Sequence, residues 1–326
     1  SWVRSKQMQR RPDVPHPYHT KEHMDSVRKW LLQTSAYVKE TDAHPHLVTT
    51  HFSNPGNGTE MWHRDGLDVV HNNAYTMFAN IWQRHRFRSS SSSRGVADVM
   101  REFAEFYARY ADRPLLVGEW GGYPERNKEE QLLAELHTGT WASAMVTLSG
   151  VTGYWWWNLL DAQDAYDVFA AVAAFMQDED FRGRDFVSTT AAVNFDAIDN
   201  QRFKRRALVR CRRTRLLGYV YANAANQHKG ALRPTAFDDP DFPETGLGTL
   251  SGPDRLQPGT YRVEYWNTFT GNRFKTVVLK LSPEQQWVPL PSHRVDLALK
   301  LIRQDDSGQT PEPDTPGSSA PEPARR

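Results

Sequence analysis

The sequence predicts an α/β protein: a parallel sheet covered by helices, followed by a smaller antiparallel β domain. Two observations predict it. Up to about residue 190, short and continuously apolar runs alternate with runs of helical period, the pattern of parallel strands buried on both faces. From about residue 205 the apolar period drops to two, as in strands with one buried face. A chain of 326 residues has room for both units.

Residues 20–42 read as an amphipathic helix, with Val27, Trp30, Leu31, Thr34, Tyr37 and Val38 on one face. His46–His51 follows as a short strand, stopped by Ser53-Asn-Pro-Gly-Asn-Gly58, whose turn residues supply positive φ and interrupt ladder hydrogen bonds. The alternation continues with a strand at Leu67–Asn72 and a helix at Ala97–Ala111 that presents Met100, Phe103, Ala104 and Tyr107 to one side. Pro114–Gly118 is a third apolar strand, Glu129–Leu148 a helix, Gly150–Trp157 a fourth strand and Asp167–Met176 a helix. In the second unit, Tyr261–Trp266 and Arg273–Lys280 form a hairpin around the turn Thr268–Asn272. Trp287–Leu290 and Val295–Ile302 add strands, and Gly246–Pro258 reads as a long loop. Ser89–Ser93 reads as a flexible loop, and residues 304–326, rich in Pro, Ser and acidic residues, as a disordered tail. The expected organisation is an irregular lead-in over 1–19, an α/β unit over 20–190, a β domain over 205–303 and the tail from 304.

Composition narrows the function. With 40 Lys+Arg against 39 Asp+Glu, the chain lacks the basic excess of a nucleic-acid binder. It contains no apolar run of roughly 18 residues, the least that a membrane-spanning helix needs. Cys211 is the single cysteine, which excludes an intrachain disulfide and a cysteine metal cage. The 11 Trp, 12 Tyr and 15 Phe suit a core, and also a cleft that stacks flat apolar faces such as those of sugar rings. No cofactor is implied.

In a parallel α/β barrel, chemistry sits at the carboxy-terminal ends of the strands. Glu119 stands there after the third strand, between Gly118 and Trp120-Gly121-Gly122, where small neighbours let a ligand approach. Its alternative role is a helix-start carboxylate. Strand alternation would send Trp156 to one side of the fourth strand and Trp155 and Trp157 to the other, so at least one of them should reach the sheet's open end. His71, Asn72, Asn73 and Tyr75 after the second strand, and His51 after the first, could hold hydroxyls. Trp120, beside Glu119, completes the candidate substrate contacts.

Three segments carry a family resemblance: Leu67-Asp-Val-Val-His-Asn-Asn-Ala-Tyr-Thr76, Pro114-Leu-Leu-Val-Gly-Glu-Trp-Gly121, and Leu136-His-Thr-Gly-Thr-Trp141 through Gly153-Tyr-Trp-Trp-Trp-Asn158. With Pro258–Gly271 and Leu290–Lys300 they resemble, over residues 25–303, the clan A glycoside hydrolases, in particular cellulase- and mannanase-like members with a carboxy-terminal β-sandwich. The resemblance implies a (β/α)8 TIM-type barrel, of which strands five to eight are present and the amino-terminal half is missing, followed by a small antiparallel β-sandwich. It implies a retaining glycosidase that acts on a β-linked polysaccharide or oligosaccharide, secreted or at the cell surface, although no signal peptide stands at Ser1. Glu119 is then the nucleophile, Tyr75 the residue that keeps it ionised, and Trp156 or Trp157 the platform under the sugar. The family's His after the sixth strand corresponds to Asn73. The family's acid/base, a Glu in an Asn-Glu pair ending strand four, has no counterpart: the sequence contains no Asn-Glu dipeptide. It is expected upstream, in the missing half of the barrel.

Two other readings compete. A barrel remnant without an acid/base could bind carbohydrate without cleaving it. His19-Thr-Lys-Glu22-His23 fits the H-x-x-E-H pattern of inverted zinc proteases, with Glu102 or Glu105 as a third ligand; as a solvated turn it would hold no metal.

Overall fold

The computed structural model describes residues 21–52, 66–75, 95–108, 113–121, 129–150, 153–182, 185–195, 204–222, 244–253, 255–284 and 286–304. The expectations for residues 1–19, Ser53–Gly58, Ser89–Ser93 and 305–326 lie outside these.

Four parallel strands open the fold in the order β1-β2-β3-β4: β1 (Thr49–Phe52), β2 (Val69–Tyr75), β3 (Leu115–Gly121) and β4 (Gly153–Tyr154). Helices α1 (Lys21–Thr41), α2 (Val96–Ala108) and α3 (Glu129–Met145) alternate with them. In α2 the expected face, Met100, Phe103 and Ala104, is buried together with Val96 and Val99. Nearly all of α3 from Leu132 onward is buried, because β3 lies against one side and the second unit's strands against another. Glu129 and Glu130 at its start are favourable against the helix dipole, and the two-sided burial takes in Glu135, His137, Thr138, Thr140 and Ser143 along with the apolar residues.

α1 turns a different face inward from the one its periodicity predicts. Leu31 and Leu32 pack on the core and Ser35 is buried, whereas Trp30, Tyr37 and Val38 are exposed. Polar anchors set this rotation. The Ser35 hydroxyl donates to the Gly66 carbonyl, and Lys39 Nζ holds both Asp68 oxygens at 2.7 and 2.8 Å. Asp68 in turn accepts the Val48 N–H at 2.7 Å. These bonds clamp the helix to the entry of β2.

The fourth strand is shorter than expected. Pairing with β3 ends at Tyr154, and the Trp155 N–H makes one further bond to the Trp120 carbonyl at 2.9 Å. The Leu159 and Leu160 N–H groups then return to the Trp156 carbonyl, which starts helix α4 (Trp157–Ala162). Helix α5 (Asp167–Met176) follows, as expected.

The antiparallel part begins earlier than residue 205. β5 (Val187–Ala191) and β6 (Val193–Phe195) already belong to it, so residues 187–190 leave the unit assigned to them from sequence. β7 (Arg205–Arg212), β8 (Arg215–Ala222), β10 (Gly259–Trp266), β11 (Arg273–Leu281) and β13 (Leu297–Arg303) join β5 in a six-stranded sheet of order β11-β10-β13-β8-β7-β5. β9 (Gly248–Ser251) and β12 (Trp287–Leu290) join β6 in a three-stranded sheet. Hence Gly246–Pro258 is not all loop. Four residues are too few to display a period, but Leu250 is fully buried and Thr249 pairs with both neighbours. Val209, Leu216, Val263 and Leu299 from the larger sheet share one apolar cluster with Leu250 and Val288 from the smaller.

The two units share a second core. Leu208, Leu217, Tyr219 and Tyr221 of β7 and β8 pack with α3, α5 and the parallel sheet. Trp141 of α3 stacks on Tyr219, centroids 5.7 Å apart and planes 20° apart, and donates its indole N–H to the Thr268 carbonyl at 3.0 Å. Beside it, the buried Asp296 carboxylate binds His137 Nε2 at 2.9 Å, the Tyr219 hydroxyl at 2.7 Å and the Thr268 hydroxyl. One side chain thus ties α3, β8 and the β10–β11 turn together.

Candidate active site

The site forms where β2 and β3 end, and a register irregularity makes it. His71 pairs with Leu116 and Asn72 with Val117, but Ala74 pairs with Trp120. Between these points β2 advances by one intervening residue, Asn73, while β3 advances by two, Gly118 and Glu119. Both β3 residues therefore face Asn73, the local effect of a bulge, which re-aims a side chain that strict alternation would send to the helix side. Alternation along β2 places His71, Asn73 and Tyr75 on that same face.

Glu119 is held there by two donors. Asn73 Nδ2 donates to Glu119 Oε2 at 2.8 Å and the Tyr75 hydroxyl to the same oxygen at 2.7 Å. Two donors on one oxygen fix the orientation of the carboxylate. No bond to Oε1 occurs among the described residues, which leaves that oxygen for another partner. Burial, and then the bond to Glu119, push the Tyr75 hydroxyl far above its ordinary pKa, so it remains a donor at any working pH.

Below this clamp stands His71, its ring centroid 5.2 Å from that of His51 on β1. A Cβ on Gly118 would lie 2.1 Å from His71 Nε2, so glycine leaves room for the ring where it crosses the strand. Burial first, then the neighbouring His51, lowers the His71 pKa against the opposing pull of Glu119, which keeps the ring neutral near pH 7.

The aromatic residues divide differently from the expectation. Trp120 has 0% exposure; it packs on Tyr154 at 4.9 Å, and its ring occupies the space over Gly139 of α3. It is a core residue, and the substrate contact expected of it is corrected. The bulge explains this, since it gives the inward face to Glu119 and sends Trp120 outward. Asn72, with 0% exposure on the outward face of β2, is likewise removed from the ligand contacts. Trp156 starts α4 and is half-buried against the core, next to Gly121. Trp157 is 68% exposed on the first turn of α4. Trp155 borders the clamp: it is 43% exposed and meets Tyr75 edge to face, centroids 6.4 Å apart. The sequence placed at least one of the three tryptophans at the open end, and the family resemblance pointed to Trp156 or Trp157, with β4 read as running through Trp157. The helix-compatible Trp157-Asn-Leu-Leu-Asp-Ala162 was the available signal that the strand ends sooner.

No protein-family model and no curated protein sequence matches the chain. Solved structures do. A glycoside hydrolase family 5 protein from Bacteroides vulgatus superposes with a TM-score of 0.51 and 12% identity, over 83% of this chain and 58% of its own. A structure described as a glycoside hydrolase gives a TM-score of 0.49 and 12% identity, over 83% of this chain and 60% of its own.

The fold is glycoside hydrolase-like.

At 12% identity the likeness concerns the fold. The chain spans about three-fifths of the length of these structures. Within that fold, the clamp around Glu119 lies at the carboxy-terminal end of the parallel strands, where such α/β folds place their chemistry. Among the described residues no group of three or more His, Cys, Asp or Glu side chains could hold a metal, and no helix is long and apolar enough to cross a membrane. Of the zinc pattern, Glu22 and His23 lie in the first turn of α1, while His19 is outside the described residues.

Proposed function

We propose that this chain carries the nucleophile of a retaining glycoside hydrolase that acts on a β-linked oligosaccharide or polysaccharide. In this reading the four parallel strands are strands five to eight of a (β/α)8 barrel, and the antiparallel sheets are its companion β-sandwich. The observation that carries the reading is the two-donor clamp on Glu119 Oε2, which leaves Oε1 unbonded among the described residues. Such a carboxylate is oriented, with one oxygen open for attack.

The chemistry is a double displacement. Glu119 Oε1 attacks the anomeric carbon as the glycosidic C–O bond breaks, which gives a glycosyl ester and a departing alcohol. Water then cleaves the ester and restores the carboxylate. Asn73 and Tyr75 hold Oε2 throughout and share its changing charge. Trp155, exposed beside Tyr75, offers the flat face on which a sugar ring stacks. His51 and His71 are polar groups on the floor of the site. The acid that protonates the leaving oxygen belongs to a strand outside the four of this sheet, and a polysaccharide substrate places the enzyme outside the cell or at its surface.

A substrate with an activated leaving group needs no acid, so the nucleophile can be tested in this chain alone. Dinitrophenyl 2-deoxy-2-fluoro-β-glycosides of glucose, mannose and xylose should transfer one glycosyl group to the peptide containing Glu119, seen by mass spectrometry, with release of dinitrophenolate. Glu119→Gln should lower that rate at least about a thousandfold while the protein stays folded. Labelling that persists in Glu119→Gln would refute the assignment. The absence of an Asn-Glu pair favours a second reading, a carbohydrate-binding remnant; ligand binding without labelling by any of the three probes would select it.

A further inference from the structure

A buried polar atom beside the clamp has no partner. Asn73 is 1% exposed, and its Oδ1 accepts no hydrogen bond among the described residues. The amide cannot be turned the other way, because Glu119 Oε2 needs a donor and receives Nδ2 at 2.8 Å. Oδ1 is therefore aimed away from Glu119, toward the space above the Gly118 Cα. His71 Nε2 borders that same space. The point a Gly118 Cβ would occupy lies 2.1 Å from His71 Nε2 and 3.1 Å from Asn73 Oδ1. A neutral imidazole can carry its proton on Nε2, and an amide oxygen is its natural acceptor.

We propose that His71 is a positioning residue, which donates its Nε2–H to Asn73 Oδ1 after a small ring rotation and so locks the amide with its N–H groups toward Glu119. The relay runs His71 to Asn73 to Glu119, with each donor facing an acceptor. It satisfies the buried acceptor, and it forbids the flipped amide, which would aim an oxygen at a carboxylate. Gly118 is part of the device, because any side chain there would occupy the gap that the two groups border. His51, packed on His71 from β1, steadies the ring and, with burial, keeps it neutral.

The function of the relay rests on Glu119 being the nucleophile; its geometry does not, and two measurements separate the two. Long-range 1H–15N correlation spectra of the chain near pH 7 report which imidazole nitrogen carries the proton. The expected result is His71 as the Nε2–H tautomer, drifting toward a mixture in Asn73→Ala. A proton on Nδ1 in the wild type, or a tautomer unmoved by Asn73→Ala, overturns the relay. Labelling rates with the fluoroglycosides report its consequence. His71→Leu should slow labelling roughly tenfold, the effect of one lost hydrogen bond, and His71→Gln, whose amide N–H can reach the same acceptor, should recover most of it. Equal rates in wild type and His71→Leu would overturn the positioning role while leaving Glu119 as nucleophile. No labelling of the wild type would overturn the nucleophile, and the tautomer would still decide the bond. Should His71→Leu fail to fold, the wild-type tautomer decides alone.

Discussion

Asn73 and Tyr75 lie on a different strand from Glu119 and more than forty positions before it, yet both donate to one of its oxygens. The sequence marks Glu119 by its place after an apolar strand and Tyr75 by family resemblance, and the structure joins them. It differs over the tryptophans, because a side chain's role depends on where its strand stops. Trp155 is the partner of Tyr75, while Trp157 points from an exposed helical turn. Trp155→Ala should therefore weaken oligosaccharide binding by about 1–3 kcal/mol through lost stacking area, and Trp157→Ala by much less. Calorimetric titration with short β-linked glucose and mannose oligomers measures both. Equal losses, or a loss confined to Trp157→Ala, would move the platform along the chain.

At the scale of elements, the bulge in β3 governs the site. One additional residue sends Gly118 and Glu119 to the same face and leaves Trp120 to the core. No periodicity reveals such an insertion, because alternation is the assumption on which the reading of a strand rests. Gly118→Ala tests it. Its Cβ would stand 2.1 Å from His71 Nε2, so either the ring or the bulge must move. The expected cost is about 1–3 kcal/mol in a urea unfolding curve, together with slower labelling of Glu119. A variant as stable and reactive as wild type would show that the strand has slack there. Helix α1 makes the same point about rotation. Its periodicity predicts a face with Trp30 and Tyr37, but Ser35 and Lys39 find fixed partners in Gly66 and Asp68 and turn that face outward.

Across the whole molecule, Asp296 joins the two units. Burial pushes its carboxyl up, but His137, Thr268 and Tyr219 more than offset this, and the net shift is below the ordinary carboxylate value. A carboxyl with a depressed folded pKa stabilises the fold above its unfolded pKa, near 3.9, and that contribution is lost as pH falls through the folded value. The urea midpoint should therefore drop below about pH 4, and Asp296→Asn should show less of that drop. At neutral pH, Asp296→Ala should cost about 3–5 kcal/mol, because it strands His137 and two hydroxyls in the interior. A pH profile identical in wild type and Asp296→Asn would place the acid sensitivity elsewhere.

The sequence by itself determined the alternation of strands and helices, the change to period two, the β10–β11 hairpin and the candidacy of Glu119. These follow from patterns repeated along neighbouring residues, and such patterns survive in one dimension. Tertiary structure decided which face α1 buries, where β4 stops, that Gly248–Ser251 is a strand, and that Trp155 rather than Trp120 borders the clamp. Each of those is set by a partner distant in sequence: a carbonyl at Gly66, a carbonyl at Trp120, a strand at residues 287–290, a bulge opposite Asn73. Local preference among these alternatives is weak, and a single long-range hydrogen bond or buried ring outweighs it.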